Sequence, residues 1–196
     1  MAVATYHHGD LANAVVEAGL RRVRQRGLSA ISGRELAGSV GVTPAAIYRH
    51  FTDKEHLRAA ISQAAREQLA RAISLPRPRT MSKRGAAERF RQIGLAYVEF
   101  AFTEPHLHAA AFEICEPLRP DSPSAWEVLT EALDDLVKAG AMPVSRRSGA
   151  EMVAWCAVHG ASNLITTPMA GVPPAQRSVV VKQVLDGVKR SLQITP

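Results

Sequence analysis

The chain has 196 residues, 46% of them hydrophobic, and its 24 Lys and Arg against 18 Asp and Glu give a net charge of +6. The apolar share is enough for a packed core, and the length suits one large domain or a small and a medium one. Two cysteines, Cys115 and Cys156, fit no disulfide framework and no zinc spacing, so we expect a reducing cytoplasmic setting and no metal or cofactor.

A membrane or secretory function is not expected either. The N-terminus shows no basic region followed by an apolar one, which a signal peptide would need. The longest window without Asp, Glu, Lys or Arg is Met152–Gln176, and only about its first fourteen residues are consistently apolar. That length suits a buried helix better than a membrane span.

A turn between two short helices is the most informative pattern, and it follows a first helix predicted over residues 10–26. Ser32 and Glu35 have the spacing of a capping box, which predicts a second helix that Gly41 ends. Thr43 and Pro44 suit the cap and the first position of a third helix. About three residues thus join the two helices, as in a helix-turn-helix unit.

The third helix is predicted over residues 44–50 and is too short to be stable alone. Ile47 and Phe51 are four residues apart and would hold it against its neighbours, which leaves the other side exposed. The methyl group of Ala45 can meet a thymine methyl, and the Tyr48 hydroxyl can donate to a phosphate. We therefore expect this side in the major groove of DNA.

The fourth helix is predicted over residues 53–74, because Thr52 and Glu55 repeat the capping-box spacing. Lys54 would lie in its first turn, where the helix dipole disfavours a cation unless a phosphate is near. Each of these signals is common by itself, and only their order and spacing are informative. The DNA-binding residues predicted from them are Arg34, Thr43, Pro44, Ala45, Tyr48, Arg49, His50 and Lys54.

After a linker with Pro76 and Pro78, helices are predicted over residues 83–102, after Pro105, and over 124–139, 148–166 and 174–192. The helix over 148–166 is apolar nearly all round, so we expect it to be covered on several sides. Strand-like alternation of useful length is not evident. The sequence therefore predicts an all-α fold of about nine helices.

Positive charge is concentrated near the N-terminus. Residues 1–75 hold ten Lys and Arg against six Asp and Glu, an excess of +4, which leaves +2 for residues 76–196. A small basic domain is typical of proteins that bind polyanions, although ordinary surface charge would give the same numbers.

Residues 8–68 resemble the TetR family of bacterial transcriptional regulators. The resemblance lies in the runs Ser32-Gly33-Arg34-Glu35-Leu36-Ala37, Gly41-Val42-Thr43, Ile47-Tyr48-Arg49-His50-Phe51 and Asp53-Lys54-Glu55-His56-Leu57. A second segment, Ala154-Trp155-Cys156-Ala157-Val158-His159-Gly160, is similar to the Trp…His-Gly signature (WHG) of one class of TetR ligand domain.

The resemblance implies a helix-turn-helix DNA-binding domain over residues 8–68 and a larger helical ligand-binding and dimerisation domain over 83–193. It implies a homodimer on double-stranded operator DNA, a repressor released by an unidentified small molecule. The residues expected around that ligand are Phe90, Tyr97, Phe112, Trp126, Met152, Trp155 and His159. The residues expected between the two chains are Ala157, Gly160, Val181, Val184 and Val188.

Purely structural roles for these residues, and two other functions for the chain, stay open. An aromatic stripe is usually just core, and His159 suits a core or interface position as well as a ligand site. A non-specific nucleoid-type protein would share the basic charge but show little sequence preference. A helical-bundle enzyme would need Cys156 and His159 as a thiol–imidazole pair, but no third orienting residue is evident and a buried cysteine is usually inert. We therefore expect no enzyme.

Overall fold

The structure is a computed structural model that describes residues 8–113, 122, 124–166 and 172–196. In these residues the chain forms helices joined by turns and loops, which confirms the all-α prediction. The α-helices of the described residues are α1 (His8–Arg26), α2 (Gly33–Val40), α3 (Pro44–Ile47), α4 (Lys54–Ile73), α5 (Lys83–Thr103), α6 (Pro105–Ala111), α7 (Ala125–Lys138), α8 (Ala150–Thr166) and α9 (Pro174–Ser191).

The helices group into two compact units. Unit 1 contains α1, α2, α3, α4 up to Gln68, and α6. Unit 2 contains the end of α4 together with α5, α7, α8 and α9. Helix α6 lies within residues 83–193 but groups with unit 1, where it packs on α1 and Ala110 O accepts a hydrogen bond of 2.7 Å from Ser62 Oγ.

The core of unit 2 is built from the stripe of α7. Leu129, Leu133 and Leu136 are buried there together with Ala154 of α8 and Val188 of α9. A buried ion pair adds to this core, with Arg89 Nη1 of α5 at 3.4 Å from Asp135 Oδ2 of α7. No helix among the described residues is long and apolar enough to cross a membrane.

Helix α8 is covered less completely than the sequence suggested. Met152, Val153 and Leu164 are large apolar residues with exposed side chains, and Cys156 is exposed as well. The prediction of a buried Cys156 is therefore wrong, because the core of unit 2 covers only the face of α8 that carries Ala154, Ser162 and Ile165. Cys115 lies outside the described residues.

The expected helix caps are mostly replaced by others. Ser32 makes no cap through its side chain, and Glu35 Oε2 accepts from Arg22 Nη2 at 2.6 Å. Thr43 also makes no side-chain cap. Asp53 lies just before α4, and its Oδ1 accepts from the backbone N–H of His56 at 2.7 Å, in place of the expected Thr52 box.

A capping box does form at the start of α7. Ser124 Oγ accepts from the Glu127 N–H, and the Glu127 carboxylate accepts from the Ser124 N–H, both at 3.1 Å. We predict that Ser124→Ala lowers the free energy of unfolding by about 1 kcal/mol, because it leaves a first-turn N–H without its side-chain acceptor. Urea titration followed by circular dichroism measures the change.

Ser32→Ala is the matched control, since it removes the same hydroxyl from a helix start where no side-chain cap exists. Its effect is expected to stay within about 0.5 kcal/mol. An equal loss of unfolding free energy in the two variants would mean that the α7 capping box does not stabilise the protein.

Candidate DNA-binding surface and ligand cavity

The turn between α2 and α3 is built as the sequence predicted. Gly41 ends α2 in the left-handed region, at φ 75° and ψ 30°. The Val42 N–H then donates to Ala37 O at 3.0 Å, which closes the end of the helix. Three residues separate Val40 from Pro44, so the helix-turn-helix spacing is confirmed.

Helix α3 is shorter than predicted and continues as a hydrogen-bonded turn. It ends at Ile47, after which the N–H groups of His50 and Phe51 both donate to Ile47 O, at 2.9 and 3.1 Å. Ile47 is fully buried and Phe51 is 5% exposed, so these two side chains hold the segment against unit 1 as expected.

The opposite side of this segment is open to solvent. Seven of the eight predicted DNA-binding residues have exposed side chains, and the eighth, His50, is half-buried. This side presents small, aromatic and cationic groups together, which is the mixture that base edges and phosphates require. The exposed residues are Arg34, Thr43, Pro44, Ala45, Tyr48, Arg49 and Lys54.

Tyr48 is positioned by Gly33, which the sequence analysis named only within the run that resembles the TetR family. A methyl group added at Gly33 would lie 2.8 Å from Tyr48 Oη and 3.2 Å from Tyr48 Cζ. Gly33 is itself buried, whereas Tyr48 is 44% exposed. The tyrosine ring therefore lies close over the backbone of α2, with its other side exposed.

Lys54 is the first residue of α4. Asp53 caps this helix, and the Lys54 side chain is exposed beside that carboxylate. A cation in this place is disfavoured by the helix dipole, and a phosphate anion near the helix start would favour both the lysine and the dipole.

Unit 2 contains an apolar cavity. The volume of the cavity is about 40 Å³, which is room for roughly three waters. Its walls come from α5, α7, α8, α9 and the last residue of α4. The lining residues are Ile73, Phe90, Ile93, Gly94, Tyr97, Ala125, Leu129, Ala154, Trp155, Val158, His159, Leu185 and Val188.

A polar chain of three residues lies at this cavity. Tyr97 Oη is 2.7 Å from His159 Nδ1, and the Asn163 amide nitrogen is 3.0 Å from His159 Nε2. The Trp155 ring stacks on the His159 ring, with centroids 6.1 Å apart and planes at 17°. The histidine is therefore fixed on both nitrogens and on one face.

Burial keeps the two titratable groups of the cavity uncharged. It lowers the pKa of His159 below its usual value, which disfavours the imidazolium. It raises the pKa of the Tyr97 hydroxyl, which disfavours the phenolate. At neutral pH the cavity wall thus presents a neutral phenol and a neutral imidazole.

Four of the seven residues expected around a ligand line this cavity: Phe90, Tyr97, Trp155 and His159. Three do not. Phe112 packs edge-on against His108 in unit 1, and Met152 is 55% exposed. Trp126 is 42% exposed and contacts the ring of Trp155, which lines the cavity.

Sequence reasoning also missed residues at this site. Asn163 lies four residues after His159 on α8, a spacing that places both on one face and was available as a signal. Leu185 and Val188 of α9 line the cavity too, and no local spacing connects them with α5.

The residues expected between two chains divide into two groups. Ala157, Gly160 and Val184 are half-buried, and a methyl group added at Gly160 would meet nothing within 4 Å. Val181 and Val188 differ from these three in their burial. They are 7% and 4% exposed, because they pack into the core of unit 2 and do not reach its outer surface.

Two family models match this chain. The model for the C-terminal domain of tetracyclin repressor-like proteins matches residues 90–188, about half of the chain. The model for bacterial regulatory proteins of the tetR family matches residues 15–61, which contain the helix-turn-helix. No curated protein matches.

Solved structures share the fold. A protein of unknown function from Rhodococcus sp. RHA1 is 24% identical over 97% of this chain and 99% of its own, with a TM-score of 0.73. A bacterial regulatory protein in the tetR family from Rhodococcus RHA1 is 18% identical over 95% and 98%, with a TM-score of 0.66. A TetR variant from Acinetobacter baumannii AYE, in complex with minocycline, is 17% identical over 92% and 95%, with a TM-score of 0.65.

The matched segments include the exposed helix-turn-helix in unit 1 and the helices that enclose the cavity in unit 2. Half of the chain is matched by one model alone, and the second model adds the DNA-binding part. The chain belongs to the tetR family of bacterial regulatory proteins and is a DNA-binding transcriptional regulator.

Proposed function

We propose that this regulator is a repressor that binds double-stranded operator DNA as a homodimer and leaves it when a small molecule enters the cavity of unit 2. A regulator that reads bacterial DNA works in the cytoplasm. Helix α4 carries the proposal, because its first residue, Lys54, is a predicted DNA contact and its last residue, Ile73, lines the cavity.

The DNA contacts are assigned to the exposed side of the helix-turn-helix. Ala45 reaches base edges in the major groove, while Tyr48 and Lys54 bind phosphates that set the register of the protein on the duplex. Arg34, Arg49 and His50 add positive or polar groups around this contact. The glycine turn at Gly41 and the two buried anchors Ile47 and Phe51 support this assignment.

The contact between two chains is assigned to the outer face of α8 and α9. This face exposes Met152, Val153 and Leu164 of α8 and Val179 of α9. Gly160 adds a place where a second helix can approach closely, since nothing occupies the space beside it. Large apolar residues grouped on an open face are typical of a protein–protein contact.

The release mechanism is assigned to the movement of α4. A ligand shifts the protein between two states only by its different affinity for them. About 3 kcal/mol of such a difference would change operator affinity roughly a hundredfold. The binding of minocycline by the similar TetR variant from Acinetobacter baumannii supports a small-molecule role for this fold.

The first test uses duplexes selected from a random pool by the parent protein. We predict that Lys54→Ala weakens binding to every duplex and lowers the slope of log K against log salt concentration by about 1, because one phosphate contact is lost. We predict that Ala45→Asp removes the preference for selected over scrambled duplexes. Fluorescence anisotropy at several salt concentrations measures both effects.

Lys189→Ala removes the same charge from an exposed position on α9 and should leave the salt slope unchanged. An unchanged slope in Lys54→Ala would contradict the assigned phosphate contact. Equal affinity of the parent for selected and scrambled duplexes would favour the nucleoid-type alternative.

Gly33 provides a second test of Tyr48. We predict that Gly33→Ala displaces the tyrosine ring and weakens binding to selected duplexes by about 1 kcal/mol, the usual net value of one hydrogen bond. The melting temperature should not fall, since alanine favours a helix more than glycine does.

A double-mutant cycle separates this effect from a general one. In the Tyr48→Ala background, Gly33→Ala should have no further effect on DNA binding, because the displaced ring is already absent. Additive losses from the two substitutions would show that Gly33 acts through something other than Tyr48.

Gly160 tests the contact between chains. We predict that Gly160→Leu turns the dimer into a monomer, because its Cβ meets no described residue of the isolated chain within 4 Å while the larger side chain blocks the approach of a second helix. Analytical ultracentrifugation measures the mass. Gly38→Leu is the control, since nothing lies within 4 Å of a methyl group added there either, and it should remain dimeric. A dimeric Gly160→Leu variant would refute the assignment.

A further inference from the structure

The cavity of unit 2 has a wall whose chemistry restricts what can bind there. Among the described residues that line it, none is Lys, Arg, Asp or Glu. Its polar groups are those of Tyr97, Trp155 and His159. A charged ligand in this place would lose hydration without gaining a counter-ion from these residues, which is unfavourable.

The hydrogen bonds at His159 define what the cavity wall can donate. An amide nitrogen is only a donor, so the Asn163 amide donates to His159 Nε2, which therefore has no proton in the neutral ring. The proton of the ring then lies on Nδ1 and is donated to Tyr97 Oη at 2.7 Å. In this arrangement the Tyr97 hydroxyl is a donor whose oxygen is polarised by the histidine.

The size of the cavity limits the ligand as well. Space for roughly three waters suits a single ring or a short chain, and anything larger has to displace the lining side chains. Phe90 and Leu185 line both this cavity and the neighbouring surface groove that contains Arg84, Arg91 and Lys189. These two apolar side chains therefore lie between the cavity and the groove.

We propose that the cavity binds a small, uncharged, mainly apolar molecule with one hydroxyl or carbonyl group, which hydrogen-bonds at the Tyr97–His159 pair. This inference rests on the proposed function only in assigning the effector to this cavity. The Trp155 ring and the aliphatic walls hold the apolar part of the molecule. The single polar group of the molecule exchanges its hydrogen bonds with water for hydrogen bonds with this pair.

The test uses four single-ring probes of nearly equal size with the full-length protein and no DNA. Benzyl alcohol is neutral with a hydroxyl group, toluene is neutral without one, benzoate is an anion and benzylammonium is a cation. Titration calorimetry at pH 7.5 measures their affinities. Benzyl alcohol should bind about tenfold or more tightly than either ion, because the ions lack a counter-charge.

Tyr97→Phe tests the polar contact, and Tyr48→Phe is its control outside the cavity. In Tyr97→Phe the affinity ratio of benzyl alcohol to toluene should fall about fivefold, which is the loss of one hydrogen bond. In Tyr48→Phe the ratio should not change. A Tyr97→Phe variant that fails to fold leaves the comparison of the four probes on the parent protein as the deciding measurement.

The proposal is overturned if an ion binds as tightly as benzyl alcohol, or if none of the four probes binds. A separate measurement of duplex binding in the presence of benzyl alcohol tests the proposed release. Binding of the alcohol without any loss of DNA affinity would leave the ligand class standing and would refute the release mechanism.

Discussion

Helix α3 has four residues and depends on two side chains, Ile47 and Phe51, that are buried in unit 1. A single helical turn cannot persist in water, because closing it orders several residues for very few hydrogen bonds. The burial of these two side chains supplies the stabilisation that the few backbone hydrogen bonds of the turn do not. Everything assigned to the DNA surface, including the exposure of Ala45 and Tyr48, depends on that anchoring.

The same reasoning explains the turn before α3. Gly41 ends α2 with a positive φ that other residues rarely adopt, and Pro44 begins α3 without needing a hydrogen bond from its nitrogen. These backbone constraints hold the two helices three residues apart. The side chains of Ala45, Tyr48 and Arg49 are then exposed on the side opposite the two buried anchors.

Local spacing predicted the helices well and the contacts between them poorly. Glycine and proline act on the backbone at their own position, so nearly all the helix bounds were readable, and α3 was the exception because its end is decided by packing. The glutamate half of the Ser32 box is absent, since Glu35 pairs with Arg22 on another helix. The Tyr97–His159 bond joins residues 62 positions apart, a distance at which helical periodicity contains no information.

On α9, Val181 and Val188 are seven residues apart and share the buried face, while Val179 is exposed, but this spacing does not distinguish a core from a contact between chains. The open apolar face of α8 has a consequence for regulation. If two chains must join there before either binds DNA firmly, operator occupancy at low abundance rises with the square of the amount of protein. A modest change in synthesis or degradation would then alter transcription more sharply than it alters the number of molecules.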